Sequence, residues 1–407
     1  ASLCSGTEQV IPYLGSLFGI SYPGMDSLDP EVFKARLQKA IKSILKTVAT
    51  RGPAVFCMED LHWGDPSSLE LLKDILASSH YPALFICTFR TLYSLAEGGN
   101  LNTSNRAHHE ILLEDLTKAE SQKMLQSLLK TPSIPKGLEM LIREKIEGNP
   151  FYLEEILNSL LESELLIKSN GNWKLLRPIH KADIPLTIHG VISARTDRLD
   201  EGAKQVLQYA SVIGRSFDLS ILSNIIQSEK DLNGHLDNLV RLGLIRANTS
   251  LPDGHYDFRH ALTQEVVYNS LLKKERQEIH ERTGRIIEKL FPQHLSEKSE
   301  ILAFHFTKGT SLLKAVEYLM QSGTKSLNRY AVVESHQYYK EAYQLITGGV
   351  FQPDAVKGKL IQLLNSWTPV FYFRGNFRDL EKLLTQYITL AESLEDKEQC
   401  GMFYVCL

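Results

Sequence analysis

No stretch of this 407-residue chain approaches the ~20 consecutive apolar residues that span a bilayer as a helix. The longest clean apolar run, 82–89, is strand-sized. Residues 1–15 have neither a basic start nor a continuous apolar centre, so they do not read as a signal peptide. Cysteine is scarce: five residues, Cys4, Cys57, Cys87, Cys400 and Cys406, none in a CxxC pair. That excludes a zinc ribbon and a disulfide framework, and Cys57 and Cys87, inside apolar runs, read as small core residues in a reducing compartment. No HExxH occurs among the 13 histidines. His108, His109 and His305 lack partner ligands at helical spacing, which weighs against a metal-centred enzyme. Excess charge is missing too. A net charge of -3 gives no bulk electrostatic reason to bind nucleic acid or an anionic membrane. The expectation is a soluble, cytoplasmic protein with no membrane partner.

What is present suffices for ordinary cores: 43% hydrophobic and 23% charged residues. The length suggests about two to four domains. The last residues, "GMFYVCL", look like a helix cut in the middle, and both ends suggest a piece of a longer polypeptide.

Up to about Pro150 the pattern is α/β. Residues 30–47 have helical spacing, with Phe33, Leu37, Ile41, Ile44 and Leu45 on one stripe. Residues 54–58, "AVFCM", form a short continuous apolar run, as in a strand buried on both faces. Asp65 is a good N-cap and Pro66 suits the first helical position, so a helix is predicted over 67–77. Residues 83–89 read as a second buried strand and "EILLEDL", 110–116, as a third. Strands alternating with helices predict a parallel sheet.

Beyond Asn149 helices dominate. "NPFYLEEILNSLLESELL" is amphipathic, and Asn170-Gly171 between two apolar arms signals a hairpin. Pro185 opens four helices, over 188–199, 203–213, 219–226 and 232–242. "LIRANTSLPDGHYDF" then reads as strand, turn, strand with Asp253-Gly254 at the tip. Helices closed by such a hairpin make a winged-helix outline. From His260 onward all is helical. Helix pairs repeating every ~34 residues need small residues where the helices cross. "YLMQSGTKSLNRYAVVESHQYYKEAYQLI" supplies them with Gly323, Ser335, Tyr339 and Ala342 at tetratricopeptide spacing. A second, weaker copy follows, with Gly375-Asn376-Phe377 at its turn and with Leu380 and Tyr387 larger than the pattern prefers. "FHFTKGTSLLKAVEYL" reads as an earlier, degenerate unit.

The chemistry concentrates in "AVFCMEDLHWGDPSS", where an apolar strand stops at Glu59 and Asp60. Ligands of open α/β sheets sit outside the carboxyl ends of the strands. A first carboxylate there can hold Mg²⁺, and a second can orient or deprotonate a water. The bland alternative is that Asp60 merely caps the next turn near Trp63. "ALFICTFR" would bring Thr88 and Arg90 to the same edge, where a guanidinium could sense a γ-phosphate; otherwise Arg90 is an ordinary surface residue. Gly148-Asn149-Pro150 is a sharp turn whose following helix N-terminus could face a ligand, or a plain helix start.

Together "CMEDLHWGDPSSLELL", "LFICTFR", "EGNPFYLEEIL", "IPLTIHGVISARTDRLDEGAKQVLQYASVIGRSF" and "YDFRHALTQEVVYNSLL" resemble the STAND branch of AAA+-related P-loop ATPases. They resemble in particular the ATPase and tetratricopeptide regions of large regulators. Those are often fused to class III adenylate/guanylate cyclase, kinase or LuxR-type DNA-binding domains. The resemblance spans about residues 11–345. It implies ATP and Mg²⁺ as cofactors, Glu59 as the metal-side acid, Asp60 as the catalytic acid and Arg90 as a sensor-like residue. It also implies that Gly148, Asn149 and Pro150 line the nucleotide pocket and that His260, in "FRHAL", contacts a nucleotide phosphate; the local alternative is a helix-start His. The family's cradle, GxxxxGK[ST], does not occur: Gly15 and Gly19 in "GSLFGI" are followed by no Lys-Ser/Thr. The expectation is that the phosphate loop lies upstream and that this stretch holds half of a site.

The fold expectation is α/β, then mainly α. A partial P-loop core spans 1–130, a helical lid with a small hairpin 131–184, a winged helix 185–262 and tetratricopeptide-like repeats 263–407. The functional expectation is an ATP-dependent signalling switch that binds ATP and ADP, takes a protein partner on its repeats and self-associates. One alternative is a degenerate scaffold presenting repeats to a partner. The other is a LuxR-type transcriptional regulator. Against the latter, residues 204–260 hold six Lys/Arg and six Asp/Glu, and "DLNGHLDNLVRLGL" one Arg against two Asp, which is no basic face.

Overall fold

The computed structural model describes residues 7–17, 20, 22–23, 29–78, 82–90, 109–145, 148–169, 171–179, 185–226, 231–249, 254–349 and 351–407. The chain is mostly helical, with three small sheets among the described residues. It divides into two compact units, one formed by Ala1–His108 with Phe291–Leu407 and the other by His109–Leu290. No described helix is long and apolar enough to cross a membrane.

In the first unit, helix Thr7–Leu17 packs on helix Pro30–Arg51 through Tyr13 and Phe33, whose ring centroids are 5.9 Å apart. The second helix starts where it does because the Asp29 carboxylate accepts hydrogen bonds from the Glu31 and Val32 amides, and Pro30 is preset for a first turn. Strand β1 (Ala54–Met58) then pairs in parallel with β2 (Ala83–Cys87), in register from Ala54 opposite Ala83 to Met58 opposite Cys87. Between them runs helix Pro66–Ser78, its first turn held by Asp65, which accepts from the Ser68 amide at 2.8 Å.

Two strand expectations need correction. The apolar runs predict burial on both faces, yet burial alternates along both strands. The register puts Val55 beside Leu84 and Cys57 beside Ile86 on one exposed face, with Val55 at 62% and Leu84 at 57%. Phe56 and Phe85 pair on the other face. Cys57 is therefore exposed and not a core residue, and Cys87 is half-buried. Residues 110–116, the expected third strand, join no sheet among the described residues, and Ile111, Leu112 and Leu113 are exposed.

The rest of the first unit is a helical array: Ser299–Lys308, Leu312–Asn328, Val332–Thr347, Pro353–Arg374, Phe377–Thr385, Ile388–Glu392 and Lys397–Cys406. The small residues of the repeat pattern lie at a helix crossing. Gly323 abuts the Tyr339 ring, and Ser335 and Ala342 are fully buried. In the weaker copy, Gly375 closes its helix in the left-handed conformation at φ 69°, as the sequence suggests. The following helical stretch is interrupted after Thr385, and the large Tyr387 sits at the start of the next short helix with its hydroxyl 2.8 Å from that of Tyr343.

The second unit begins with helices Lys118–Leu129, Lys136–Lys145 and Pro150–Glu162. Thr117 and Glu120 form a reciprocal capping box on the first of these. Antiparallel strands β3 (Leu166–Ser169) and β4 (Asn172–Leu175) follow, with Asn170 of the expected turn outside the described residues. Leu125, Leu138, Leu153, Ile156, Leu160 and Leu166 form one buried cluster. Helix Ile188–Thr196 adds Val191 to that cluster, with Ile188 packed against it. Helices Glu201–Ile213, Leu219–Ile226 and Leu232–Arg241 surround a second cluster that includes Leu207, Leu222, Leu239 and Phe258. Three short antiparallel strands, β5 (Ser216–Asp218), β6 (Ile245–Ala247) and β7 (His255–Phe258), close it in the order β5-β7-β6. Of the expected hairpin tip, Gly254 adopts φ 95° and Asp253 lies outside the described residues. Helices Ala261–Ser270 and Lys273–Leu290 complete the unit.

Candidate functional site

The acids leave β1 through a turn that only some residues adopt. Asp60 has φ 56° and ψ 40°, a left-handed conformation that Asp tolerates and β-branched residues resist. Thr88, one residue beyond β2, fixes this turn. Its hydroxyl accepts from the Asp60 amide at 3.1 Å, its carbonyl accepts from the Leu61 amide at 2.9 Å, and its own amide donates to the Met58 carbonyl at 3.0 Å. A short 3-10 turn, Leu61–Trp63, follows. The Asp60 backbone carbonyl, not its carboxylate, accepts from the Trp63 amide at 2.9 Å, and the side chain makes no cap hydrogen bond. The capping role proposed as the bland alternative is thus filled by backbone atoms. Glu59 is exposed and Asp60 half-buried. Arg90, exposed three residues past β2, shares the carboxyl edge of the parallel pair with both acids.

Among the described residues no group of three or more His, Cys, Asp or Glu is placed to hold a metal ion. Glu59 and Asp60 as an isolated pair do not make a self-contained metal cage. They fit Mg²⁺, which usually takes one or two carboxylates and completes its shell with water and phosphate oxygens. His62, in the same turn, was not singled out from the sequence. Both its ring nitrogens are buried without a hydrogen-bond partner among the described residues.

The second unit brings Gly148, Asn149, Pro150 and His260 to one place. Gly148 has φ 88°, and a Cβ there would fall 2.3 Å from the Leu116 carbonyl oxygen, so only glycine fits. Its own carbonyl accepts from the Leu116 amide at 2.8 Å. The Asn149 side chain accepts from the Tyr152 amide at 3.1 Å and Pro150 begins the helix, so this N-terminus is already partly satisfied. His260 precedes helix Ala261–Ser270, and its ring lies 4.1 Å from that of Phe151. Its Nε2 is buried and has no hydrogen-bond partner among the described residues. Burial holds its pKa below the ordinary histidine value, opposed by Glu154 and helped by Arg259, Arg195 and Arg215.

Sequence reasoning also missed Arg195. Its side chain is 1% exposed and donates to Glu155 at 2.6 Å, to both Glu162 oxygens at 3.1 Å and to the Leu242 carbonyl at 2.8 Å. One guanidinium therefore ties helix Pro150–Glu162 to helix Ile188–Thr196 and to the end of helix Leu232–Arg241. Burial pushes the Glu155 carboxyl up, with Arg195 pulling only partly against it. Glu155 and Glu162 share one helix face by their spacing, but nothing in the sequence pairs them with an Arg more than thirty residues on.

No family model matches the chain. It is 25% identical over 351 residues to an uncharacterized protein of Rhizobium meliloti (strain 1021), an alignment covering 84% of this chain and 33% of that protein. The chain thus spans about a third of the length of the curated relative it matches. Among solved structures it is similar to a Signal Transduction ATPase with Numerous Domains protein with a tetratricopeptide repeat sensor from Pyrococcus horikoshii. That match has 13% identity and a TM-score of 0.45, and covers 97% of this chain and 57% of the other.

Proposed function

We propose that the chain is the switch module of a larger, ATP-dependent signalling protein. In this reading β1 and β2 belong to a P-loop-type sheet, 185–262 is a winged helix and 263–407 holds tetratricopeptide-like repeats that take a protein partner, among them the helical array of the first unit. The observation that carries it is the placement of the acids. Two adjacent carboxylates stand at the carboxyl edge of a parallel strand pair, and the turn they begin is closed by the Asp60 carbonyl and Thr88 instead. Glu59 would hold Mg²⁺ through its water shell, Asp60 would orient or deprotonate the attacking water, and Arg90 would meet phosphate charge. Gly148–Pro150 and His260 would take part in nucleotide binding. The magnesium nucleotide supplies the electrophilic phosphate. The reading requires a phosphate-binding loop from elsewhere in the polypeptide, because residues 1–407 contain no GxxxxGK[ST]. The effector, such as a nucleotidyl cyclase, would be a further domain.

The test uses the full-length polypeptide. ATP binding and turnover are measured for wild type, Asp60→Asn and Glu59→Gln. Asp60→Asn should retain nucleotide binding while turnover falls by about 10²-fold or more, the range for a lost general base. Glu59→Gln should raise the Mg²⁺ concentration needed for half-maximal turnover. A wild-type protein that neither binds nor hydrolyses ATP would leave the scaffold reading standing.

A further inference from the structure

The ladder between β1 and β2 runs one step past the paired strands and then slips by one residue. In a parallel ladder, the amide and carbonyl of a residue bond to the two neighbours of its partner. Met58 stands opposite Cys87, so the next pair is Glu59 with Thr88. The Thr88 amide follows the rule and donates to the Met58 carbonyl at 3.0 Å. By the same rule the Thr88 carbonyl would accept from the Asp60 amide. It accepts from the Leu61 amide instead, at 2.9 Å. Asp60 is one residue too many for the ladder, as in a β-bulge, a device that re-aims a side chain.

An amide displaced in this way loses its ladder partner. Here the Thr88 hydroxyl stands in for the Thr88 carbonyl and accepts from the Asp60 amide at 3.1 Å. Both peptide units that flank the Asp60 Cα are therefore bonded to one residue. Peptide units are planar, so holding the two fixes φ and ψ between them, here 56° and 40°. Those two angles set the direction in which the Asp60 side chain leaves the backbone. The bond from the Trp63 amide to the Asp60 carbonyl helps to hold the later unit only. On the earlier unit the hold is Thr88 Oγ1. This bond lies at an exposed edge, so water can satisfy the amide when the hydroxyl is removed. It aims the turn and does not keep the unit folded.

We propose that Thr88 is a positioning residue for Asp60, its hydroxyl setting the turn that points the carboxylate at the attacking water. The proposal rests on the nucleotide reading of the acids. Thr88 acts only through Asp60 and has no part in holding ATP. Serine keeps the hydroxyl and serves as well. Valine keeps the branched shape and strand preference but not the acceptor.

The experiment measures ATP affinity and turnover in the full-length polypeptide. It compares wild type, Thr88→Val, Thr88→Ser, Asp60→Asn and the Thr88→Val/Asp60→Asn double variant. Thr88→Val should lower kcat about ten- to a hundredfold, the scale of a misplaced reacting group, with ATP affinity unchanged. Thr88→Ser should keep wild-type kcat. In the Asp60→Asn background Thr88→Val should cost nothing more, because the two residues act as a unit. Wild-type kcat in Thr88→Val overturns the proposal. So does a further loss in the double variant, since the hydroxyl then meets the nucleotide or the water directly. Weakened ATP binding in Thr88→Val, or a Thr88→Ser protein as slow as Thr88→Val, overturns it as well. A wild-type protein without ATP turnover, or turnover indifferent to Asp60→Asn, overturns the nucleotide reading and this proposal with it. Loss of turnover in Asp60→Asn but not in Thr88→Val overturns this proposal alone.

Discussion

The Ser335 hydroxyl donates to the Gly323 carbonyl at 2.7 Å, joining two packed helices. The Tyr339 ring lies where a Gly323 side chain would be, 2.8 Å from an added Cβ. That ring is 1% exposed and its hydroxyl is 2.8 Å from Thr324 Oγ1, so it has little room to yield. Gly323→Ala gains about 1 kcal/mol of helix propensity but overpacks this crossing by about 1–3 kcal/mol. The net effect should be destabilising. Ser335→Ala should cost about 1 kcal/mol for one lost hydrogen bond. Urea denaturation followed by tryptophan fluorescence measures both, and a stabilised Gly323→Ala protein would contradict the crossing.

Arg195→Met should be among the most damaging single changes in the second unit. It leaves Glu155 and Glu162 facing each other with no cation, at about 3–5 kcal/mol for one-sided removal of a buried pair partner. The pH dependence has a defined sign. Glu155 has a folded pKa raised above its unfolded value, so its contribution is full at low pH and is lost as pH rises through the folded pKa. With Arg195 gone, that raising grows. Thermal melts at pH 7 and pH 5 should therefore show Arg195→Met recovering on acidification, and Glu155→Gln in the same background should recover part of the loss at pH 7.

What the sequence revealed was local, and what it hid was long-range. The start of helix Pro66–Ser78 was legible from Asp65-Pro66, and the close helix crossing from Gly323, Ser335 and Tyr339, because those signals act within a turn or at fixed repeat spacing. The parallel pairing of β1 and β2 followed from the intervening helix. The exposure of Val55, Leu84 and Leu113 was not legible: an apolar run records a need for cover, not what supplies it. The Arg195 cluster was invisible because its partners lie 33 and 40 positions away. At the candidate site, the types Glu59 and Asp60 stood out, whereas the hold of Thr88 on their turn needed the strand register.

Asp60 sits in a conformation that restricts, by backbone strain, which residue can occupy position 60. At φ 56°, a backbone conformation that Asn tolerates, Asp60→Val should be about 1–2 kcal/mol or more less stable than Asp60→Asn. Thr88→Val keeps the shape and removes the acceptor for the Asp60 amide. It should raise amide exchange at Asp60 severalfold while leaving the Leu61 amide, bonded to the Thr88 carbonyl, protected. If exchange at the Asp60 amide were unchanged, the hydroxyl would be no more than a spectator in a turn held by other means.

Acid should weaken the helical array through His305. Its ring is 1% exposed, and burial, with help from Lys308, lowers its pKa from the ordinary 6.5 to about 4. Between those values the unfolded chain binds a proton that the folded one refuses. Stability is therefore full above pH 6.5 and falls as pH drops toward about 4, below which both states are protonated and the loss stops. The shift corresponds to about 3 kcal/mol. His336 has its pKa lowered to about 4 as well, but its ring is less buried, so solvent screening should leave it a smaller share. Ring-proton NMR should find His305 titrating far below the ordinary 6.5. In denaturation at pH 7, 5.5 and 4.5, His305→Gln should flatten the decline relative to wild type, because a side chain that cannot be protonated removes its part of the slope whatever its own effect on stability at pH 7. Equal slopes in the two proteins would mean that another group carries the acid sensitivity.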